Sequence, residues 1–415
     1  MSYAFALPIV ILLSGGYFLF RLRAFFILHP IKTLRRALSG SSLSDSVISL
    51  LLALSGTLGV GNIVGVTIGL SLGGAGSVFW LMVSAVFSAP LKYCEVALSF
   101  DSGEGMGMIG AIKRHLGKYP AIVYSALAAL LALSMGASLQ SEAIRECAEG
   151  VGNINTLFLI LPIAFIAPIV CIFGKKGIRK AVSFIIPFAS LFYTVLCLFV
   201  IIPNIDKLPS VVSFVISSAL SPKAAAGGIG GAIAASGIKE GFARGLLSNE
   251  AGAGTSSFSH TSGESEDHFR AGVFGIFEVV FDTLILCPLT AFTILLGFPE
   301  GKLPSSATQL GTLLDSYTHG IGAFGLYLCV TAFALATVLC WYYYGRLSFS
   351  FLFGKKSGLI FFLLFFAAFW VGLIISSPLT VAMTDAFLFF MTLITVATLI
   401  KGSDRIACLS KPFKL

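Results

Sequence analysis

Eleven stretches of about 20 mostly apolar residues follow one another along the chain, and each is long enough to cross a bilayer as a helix. They cover residues 4–20, 46–70, 77–99, 121–141, 154–173, 181–203, 225–258, 271–297, 320–345, 357–376 and 378–400. Charged residues make up only 11% of the chain, against roughly 25% in an ordinary globular protein. So few charges could not cover the surface of a soluble protein of 415 residues. The sequence therefore predicts an all-α polytopic membrane protein with about 11 transmembrane helices.

Lysine and arginine residues are distributed unevenly between the two sets of alternate loops. With the N-terminus placed outside, the inner loops hold 20 of them and the outer loops hold four, which are Arg145, Lys207, Lys223 and Lys302. Because cytoplasmic loops are enriched in basic residues, this bias predicts an outer N-terminus and a cytoplasmic C-terminus in the cell membrane. It also accounts for the net charge of +8 without a nucleic-acid partner.

Two of the predicted spans contain glycine-rich segments with a side-chain amide at membrane depth. Residues 55–62 interrupt the second span and residues 248–255 interrupt the seventh. Unpaired backbone is costly in lipid, so we expect these segments to unwind where they line a cavity. The N–H groups of a half-helix suit a carboxylate, and the freed carbonyls suit a cation such as Na⁺. Close helix packing is the alternative, and it accounts for the four-residue glycine repeat from Gly61 to Gly73.

The two interruptions lie five spans apart, in spans that run in opposite directions. This arrangement is typical of a transporter with two inverted five-helix repeats and a substrate held between the interrupted helices. We therefore predict one transporter domain over residues 1–415. Its parts would be an extra, peripheral first helix at 4–28 and five-plus-five inverted repeats at 44–203 and 225–402.

Six segments occur in a fixed order between about residue 45 and residue 400. They are Gly56–Gly65, Leu72–Trp80, Lys92–Glu95, Gly241–Gly252, Phe281–Leu284 and Trp341–Gly345. Together they resemble the sodium:alanine symporter family, the alanine/glycine–cation symporters. The resemblance implies a leucine-transporter-like fold and import of small neutral amino acids, chiefly alanine and glycine, with Na⁺. It implies no enzyme activity, no cofactor and no metal beyond Na⁺, and we expect a monomer.

The same resemblance implies a set of site residues. The substrate carboxylate would meet the backbone of the first interruption, and Trp341 would close a pocket for a very small side chain. The implied substrate-binding residues are Gly59, Gly61, Asn62, Gln140, Asn249, Gly252 and Trp341. The implied ion-binding residues are Ser55, Thr57 and Thr337. An interhelical hydrogen bond for Gln140 and a place at the membrane interface for Trp341 are the alternatives.

The chain departs from the family pattern at the ion site. Ala336 stands where the family typically has a serine, so one hydroxyl ligand for Na⁺ is missing. Acidic residues appear where the family is usually neutral, and these proton-coupling candidates are Glu278, Asp282 and Glu142. Glu278 and Asp282 share one helix face, where two carboxylates disfavour joint ionisation. A proton-coupled transporter of the same fold is therefore the alternative. The acids also have a structural alternative, in which Glu278 pairs with a basic residue elsewhere and Glu142 lies at the outer water boundary near Arg145.

Two other classes of protein fit the sequence less well. A channel would need a continuous polar lining and would have no need of two opposed interruptions. An intramembrane enzyme would need a catalytic arrangement, but the chain has no HExxH or GxSxG motif and its five histidines are scattered. We expect Lys92 and Glu95 to form an i, i+3 ion pair near the inner interface.

Overall fold

The computed structural model describes residues 3–38, 51, 54, 56–102, 105–152, 154–220, 229–261, 267–298, 303–304, 306–375 and 377–410, and over these residues the chain forms only helices. The first ten are α1 (Tyr3–Arg21), α2 (Phe25–Leu28), α3 (Pro30–Leu38), α4 (Val64–Gly73), α5 (Gly76–Asp101), α6 (Met108–His115), α7 (Lys118–Leu131), α8 (Gln140–Glu149), α9 (Thr156–Ile172) and α10 (Gly174–Ile201). The next ten are α11 (Leu208–Leu220), α12 (Ile229–Asn249), α13 (Ser257–His260), α14 (His268–Val279), α15 (Cys287–Gly297), α16 (Ala307–Tyr317), α17 (Gly322–Phe353), α18 (Gly358–Ile374), α19 (Pro378–Lys401) and α20 (Ser403–Leu409). Short 3₁₀ segments lie at Val60–Asn62, Ile202–Lys207 and Lys355–Ser357, and π-helical segments lie at Ala132–Leu139 and Val280–Leu286.

Seven helical stretches of the described chain are long and apolar enough to cross a membrane. They are Gly76–Asp101, Lys118–Glu149, Lys180–Leu220, His268–Gly297, Gly322–Phe353, Lys355–Ile374 and Pro378–Lys401. Three shorter apolar helices are Ala6–Arg21, Val60–Gly73 and Thr156–Ile172. Together with α12, these helices follow the order of the predicted spans, and their lengths confirm a multi-pass helical protein. The number of eleven crossings remains a prediction.

Loops that were predicted on the same side of the membrane lie together in the structure. Arg405 of α20 and Arg114 of α6 both hydrogen-bond to Asp101 at the end of α5, at 2.9 Å and 2.7 Å. Among the loops predicted outside, Asn204 donates from Nδ2 to Tyr317 Oη at 3.0 Å. Each set of loops thus has its own contacts, while the direction in which the protein faces stays a prediction.

The glycine repeat of α4 packs against α12, so close packing is the correct explanation for that stripe. In order, the neighbours are Ser248 for Gly61, Leu247 for Gly65, Arg244 for Gly69 and Glu240 for Gly73. A Cβ atom at Gly61 would come within 3.1 Å of Ser248 Cα, and one at Gly73 within 3.0 Å of Glu240 Cβ. Because the partner number falls as the glycine number rises, the two helices run antiparallel. The two interrupted spans are therefore direct neighbours.

We predict that Gly241→Ala destabilises the protein, because α12 also packs tightly on α5. A Cβ atom at Gly241 would lie 2.6 Å from Ser77 O and 2.9 Å from Leu81 N, and backbone atoms cannot move aside cheaply. Overpacking of this kind costs about 1–3 kcal/mol, which should lower the midpoint of thermal unfolding in detergent. Gly152→Ala is the matched control, since nothing lies within 4 Å of its Cβ position. Equal midpoints for the two variants would contradict this packing.

Candidate substrate and ion site

The first interruption lies where the sequence predicts it, between helical residues 56–57 and the start of α4. Gly59 is extended, with φ −116° and ψ −157°, and a 3₁₀ turn covers Val60–Asn62. Thr337 Oγ1 of α17 lies 3.4 Å from Leu58 O, and Val60 N donates to Gln140 Oε1 at 3.3 Å. The unwound turn therefore presents a carbonyl to one neighbouring helix and an N–H group to another.

Gly59 lies at the centre of this arrangement. A Cβ atom there would come within 2.7 Å of Thr337 Oγ1 and 3.3 Å of Gln140 Oε1. The structure thus brings Gly59, Gln140 and Thr337 together. Gln140 follows directly after the π-helical segment Ala132–Leu139, and its Nε2 donates back to Met135 O at 3.1 Å. The interhelical hydrogen bond considered for Gln140 exists, and its partner is the unwound backbone itself.

The second interruption separates α12 from α13. Asn249 Oδ1 accepts from Ala251 N at 2.9 Å, and its Nδ2 donates to Thr283 Oγ1 at 3.1 Å. Gly252 has φ +90°, and its N–H donates to Glu95 Oε2 at 2.9 Å. Both predicted substrate residues of this segment therefore have partners within the protein that fix the shape of the turn.

A single hydroxyl connects the two interruptions. Ser248 Oγ lies 3.1 Å from Asn62 Oδ1 and 2.6 Å from Asp282 Oδ2. On the other side, Thr290 Oγ1 donates to Asn62 O at 2.8 Å. Asn62, Ser248 and Asp282 are all at most 1% exposed. Asn62 and Asp282 are consequently parts of one buried polar cluster, although the sequence analysis assigned them to separate roles.

The three proton-coupling candidates have three different environments. Glu278 Oε1 lies 2.5 Å from His260 Nε2, and its other oxygen lies 3.5 Å from Lys92 Nζ. Asp282 belongs to the cluster with Ser248. Glu142, which is partly exposed, accepts from Thr380 Oγ1 at 2.8 Å. The alternative considered for Glu278, a basic partner, matches its contacts with His260 and Lys92, and these partners differ from those of Asp282.

Trp341 is fully buried, so it is not an interfacial tryptophan. Its Nε1 donates to Glu250 Oε1 at 3.1 Å, which connects α17 to the second interruption. Its ring lies over the π-helical segment, where a Cβ atom at Gly136 would come within 2.8 Å of Trp341 Cγ. Trp341 therefore bridges the helix that carries Gln140 and the turn that follows α12.

The predicted ion-binding residues are placed unequally. Thr337 contacts the carbonyl of the unwound turn, and its neighbour Ala336 is buried beside it without a hydroxyl. Thr57 Oγ1 donates to Leu54 O at 3.2 Å, within its own helical segment. Ser55 lies outside the described residues. Of the predicted ion-binding residues, Thr337 is thus the one whose hydroxyl oxygen lies at the unwound turn, next to the Leu58 carbonyl oxygen.

Several residues at the site were not singled out by the sequence analysis. Ser248 and Glu250 lie within the motif Gly241–Gly252 without a predicted role of their own, and Lys92 and Glu95, expected as an ion pair, are fully buried. Charges inside an apolar helix were the available signal for the last two. The π-helical turns have no signal in an apolar pattern, although such turns frequently occur at functional sites.

A cavity of about 1020 Å³ lies beside the ends of α4 and α5, among loops predicted to be outside. Its lining includes Ser71, Trp80, Phe214, Lys207 and Tyr317. The predicted substrate residues are not part of this lining. The cavity is therefore lined by a different set of residues from the candidate site.

We predict that Ser248→Ala lowers the free energy of unfolding by about 1–3 kcal/mol, because a buried carboxylate and a buried amide lose a shared partner. The measurement is the midpoint of thermal unfolding of the purified protein. Ser125→Ala is the matched control, since Ser125 is equally buried and its hydroxyl bonds only to Ala121 O in its own helix, at 2.7 Å. If both variants lose the same stability, the bridge between the interruptions contributes nothing of its own.

Comparison with known proteins identifies the family and the fold of the chain. Residues 1–412 match the model of the sodium:alanine symporter family. An uncharacterized transporter, YflA of Bacillus subtilis, is 29% identical over 98% of this chain and 90% of its own. The sodium/alanine symporter AgcS of Methanococcus maripaludis is 28% identical over 91% and 87%. The crystal structure of MhsT in complex with L-phenylalanine, at 12% identity, superposes with a TM-score of 0.57 over 88% of this chain and 94% of that one, and shows the leucine-transporter-like fold. The chain belongs to the sodium:alanine symporter family.

Proposed function

We propose that this transporter imports small neutral amino acids, alanine and glycine above all, in symport with Na⁺ through alternating access. The observation that carries the proposal is the convergence of Gln140 and Thr337 on the unwound turn at Gly59. Family membership supports the coupling of an amino acid to a cation. The printed names of its relatives include a sodium/alanine symporter.

The proposed substrate site uses the N–H groups of the first interruption. The start of the 3₁₀ turn and of α4 carries partial positive charge, which attracts the substrate carboxylate to the backbone at Gly59, Gly61 and Asn62. Gln140, Asn249 and Gly252 complete the proposed set, and Trp341 limits the size of the side chain. A bound substrate would replace Gln140 as the acceptor of the Val60 N–H group.

The proposed Na⁺ site uses oxygen atoms freed by the interruption. Leu58 O and Thr337 Oγ1 lie 3.4 Å apart and can both turn toward a cation, with Thr57 and Ser55 as further candidate ligands. Carbonyl and hydroxyl oxygens suit Na⁺ at unwound helices. Ala336 supplies no ligand, so we expect a water molecule in that place and weaker Na⁺ binding.

Proton coupling is the alternative, and a specific observation favours it. Asp282 lies in the same cluster as Asn62, so a proton on this carboxyl would act next to the proposed substrate site. Glu278 and Glu142 are the other candidates. Under either coupling we propose eleven spans with five-plus-five inverted repeats at 44–203 and 225–402, and a peripheral helix at 4–28. The N-terminus would be outside, the C-terminus cytoplasmic, and the protein a monomer in the cell membrane.

We expect an inward Na⁺ gradient alone to drive alanine accumulation in proteoliposomes that contain the purified protein. Radiolabelled alanine uptake is measured with a Na⁺ gradient in one set and a proton gradient in the other. Protein-free liposomes under the same gradients are the control. Uptake driven by protons alone would mean that H⁺ is the coupling ion and that the acidic residues carry it. No uptake under either gradient would refute alanine as the substrate.

We expect Gly59→Ala to raise the KM for alanine about tenfold or more, because its Cβ atom would displace the Thr337 hydroxyl and the Gln140 amide from the unwound turn. The control is Gly65→Ala in α4, just after the interruption, whose Cβ atom would make an ordinary 3.6 Å contact with Leu247. Uptake kinetics of the two variants in proteoliposomes give the comparison. An unchanged KM in Gly59→Ala would place the substrate elsewhere.

A further inference from the structure

Two fully buried charges on α5, Lys92 and Glu95, contact the second interruption from a helix that carries none of the proposed substrate residues. Their charged atoms lie 3.7 Å apart, so they form an ion pair, as expected for an i, i+3 spacing. Both side chains are completely enclosed by protein. Burying two charges is expensive unless further polar partners satisfy them.

Lys92 supplies the donor at the beginning of the turn. Its Nζ donates to Asn249 O, the last carbonyl of α12, at 2.7 Å, and also to Ser256 Oγ just beyond the turn. The carbonyl end of a helix carries partial negative charge, which an ammonium group stabilises. Lys92 is therefore bound to both ends of the segment that connects α12 to α13.

Glu95 supplies the acceptor in the middle of the same turn. Its Oε2 accepts hydrogen bonds from Gly252 N and Gly254 N, both at 2.9 Å. These glycines have φ values of +90° and +83°, which residues other than glycine rarely adopt. Backbone N–H groups that converge on one point form a concave site for an anion, and here the Glu95 carboxylate occupies it between Gly252 N and Gly254 N.

The shape of this turn reaches the proposed pocket through Glu250. This residue has φ +54° between the two points held by Lys92 and Glu95. Its side chain accepts from Thr255 Oγ1 at 2.5 Å and from Trp341 Nε1 at 3.1 Å. A turn with a different backbone path would carry the Glu250 carboxylate away and free the ring of Trp341.

We propose that Lys92 and Glu95 are positioning residues that set the backbone of the second interruption and, through Glu250, the orientation of Trp341. The two charges are not interchangeable, since an ammonium group only donates and a carboxylate only accepts. Exchange of the two members would keep their mutual attraction, but it would also place a carboxylate beside Glu278, which lies 3.5 Å from Lys92 Nζ, so the comparison of Glu95→Ala with Glu95→Gln is the decisive one. The effect on substrate affinity rests on the proposed function, whereas the effect on the backbone does not.

The experiment compares Glu95→Ala, Glu95→Gln and the exchange Lys92→Glu/Glu95→Lys in the full-length protein. Two readouts are used: KM and kcat for alanine in proteoliposomes, and hydrogen–deuterium exchange of the peptide that covers residues 249–256. A matched exchange at the exposed pair Arg21 and Asp404, made as Arg21→Asp/Asp404→Arg, is the control.

We expect Glu95→Ala and the exchanged buried pair to increase deuterium uptake over residues 249–256 and to raise KM about tenfold or more. Glu95→Gln keeps one acceptor oxygen, so it should stay within about threefold of the wild-type KM, with the segment still protected. The exchanged surface pair should match the wild type in both readouts.

Wild-type protection and KM in the exchanged buried pair would overturn the proposal, because a simple ion pair would then be sufficient. Equal behaviour of Glu95→Ala and the wild type would overturn it as well. If the exchanged pair fails to fold, the contrast between Glu95→Ala and Glu95→Gln still decides. If the wild type transports no alanine, the proposed function fails, while deuterium exchange still tests the positioning role.

Discussion

The close antiparallel contact between α4 and α12 is the constraint on which the rest of the structure depends. Glycines at every fourth position let the two helices approach until a Cβ atom at Gly61 would lie 3.1 Å from Ser248 Cα. Small residues let helices pack closely in membranes, where van der Waals contact rather than a hydrophobic force holds helices together. This contact places the two interruptions beside each other, so that Ser248 reaches both Asn62 and Asp282. Two unwound segments that are far apart in sequence thereby become one polar region.

Unwound backbone inside a membrane protein needs partners, and here they come from surrounding helices. Gln140 and Thr337 meet the first interruption, and Lys92 and Glu95 meet the second. The two sets differ in strength. The first consists of neutral groups at 3.3–3.4 Å, and the second of charged groups at 2.7–2.9 Å. Charge-assisted hydrogen bonds are stronger, so we infer that the second turn is the more rigid of the two. We infer that the first turn exchanges hydrogen-bond partners when substrate and cation bind.

Much of the fold could be predicted from the sequence because lipid leaves few options. Runs of apolar residues specify helices, and glycine with an amide at membrane depth indicates an interruption; both predictions hold at Gly59 and at Asn249. The finer arrangement could not be predicted, since it depends on which side chains meet after folding. Asp282 gave no sign of its contact with Ser248, and the i, i+3 spacing of Lys92 and Glu95 gave no sign that both contact the second interruption. The π-helical turn before Gln140 arises from packing, which a periodic pattern does not record.

We propose that cation and amino acid share the region where the two interruptions meet. Equilibrium binding of radiolabelled alanine to the purified protein, measured over a series of Na⁺ concentrations, tests it most directly. We expect the Kd for alanine to fall as the Na⁺ concentration rises, and alanine to increase the affinity for Na⁺ by the same factor, because linkage is reciprocal. A Kd for alanine that is independent of Na⁺ would contradict a shared site.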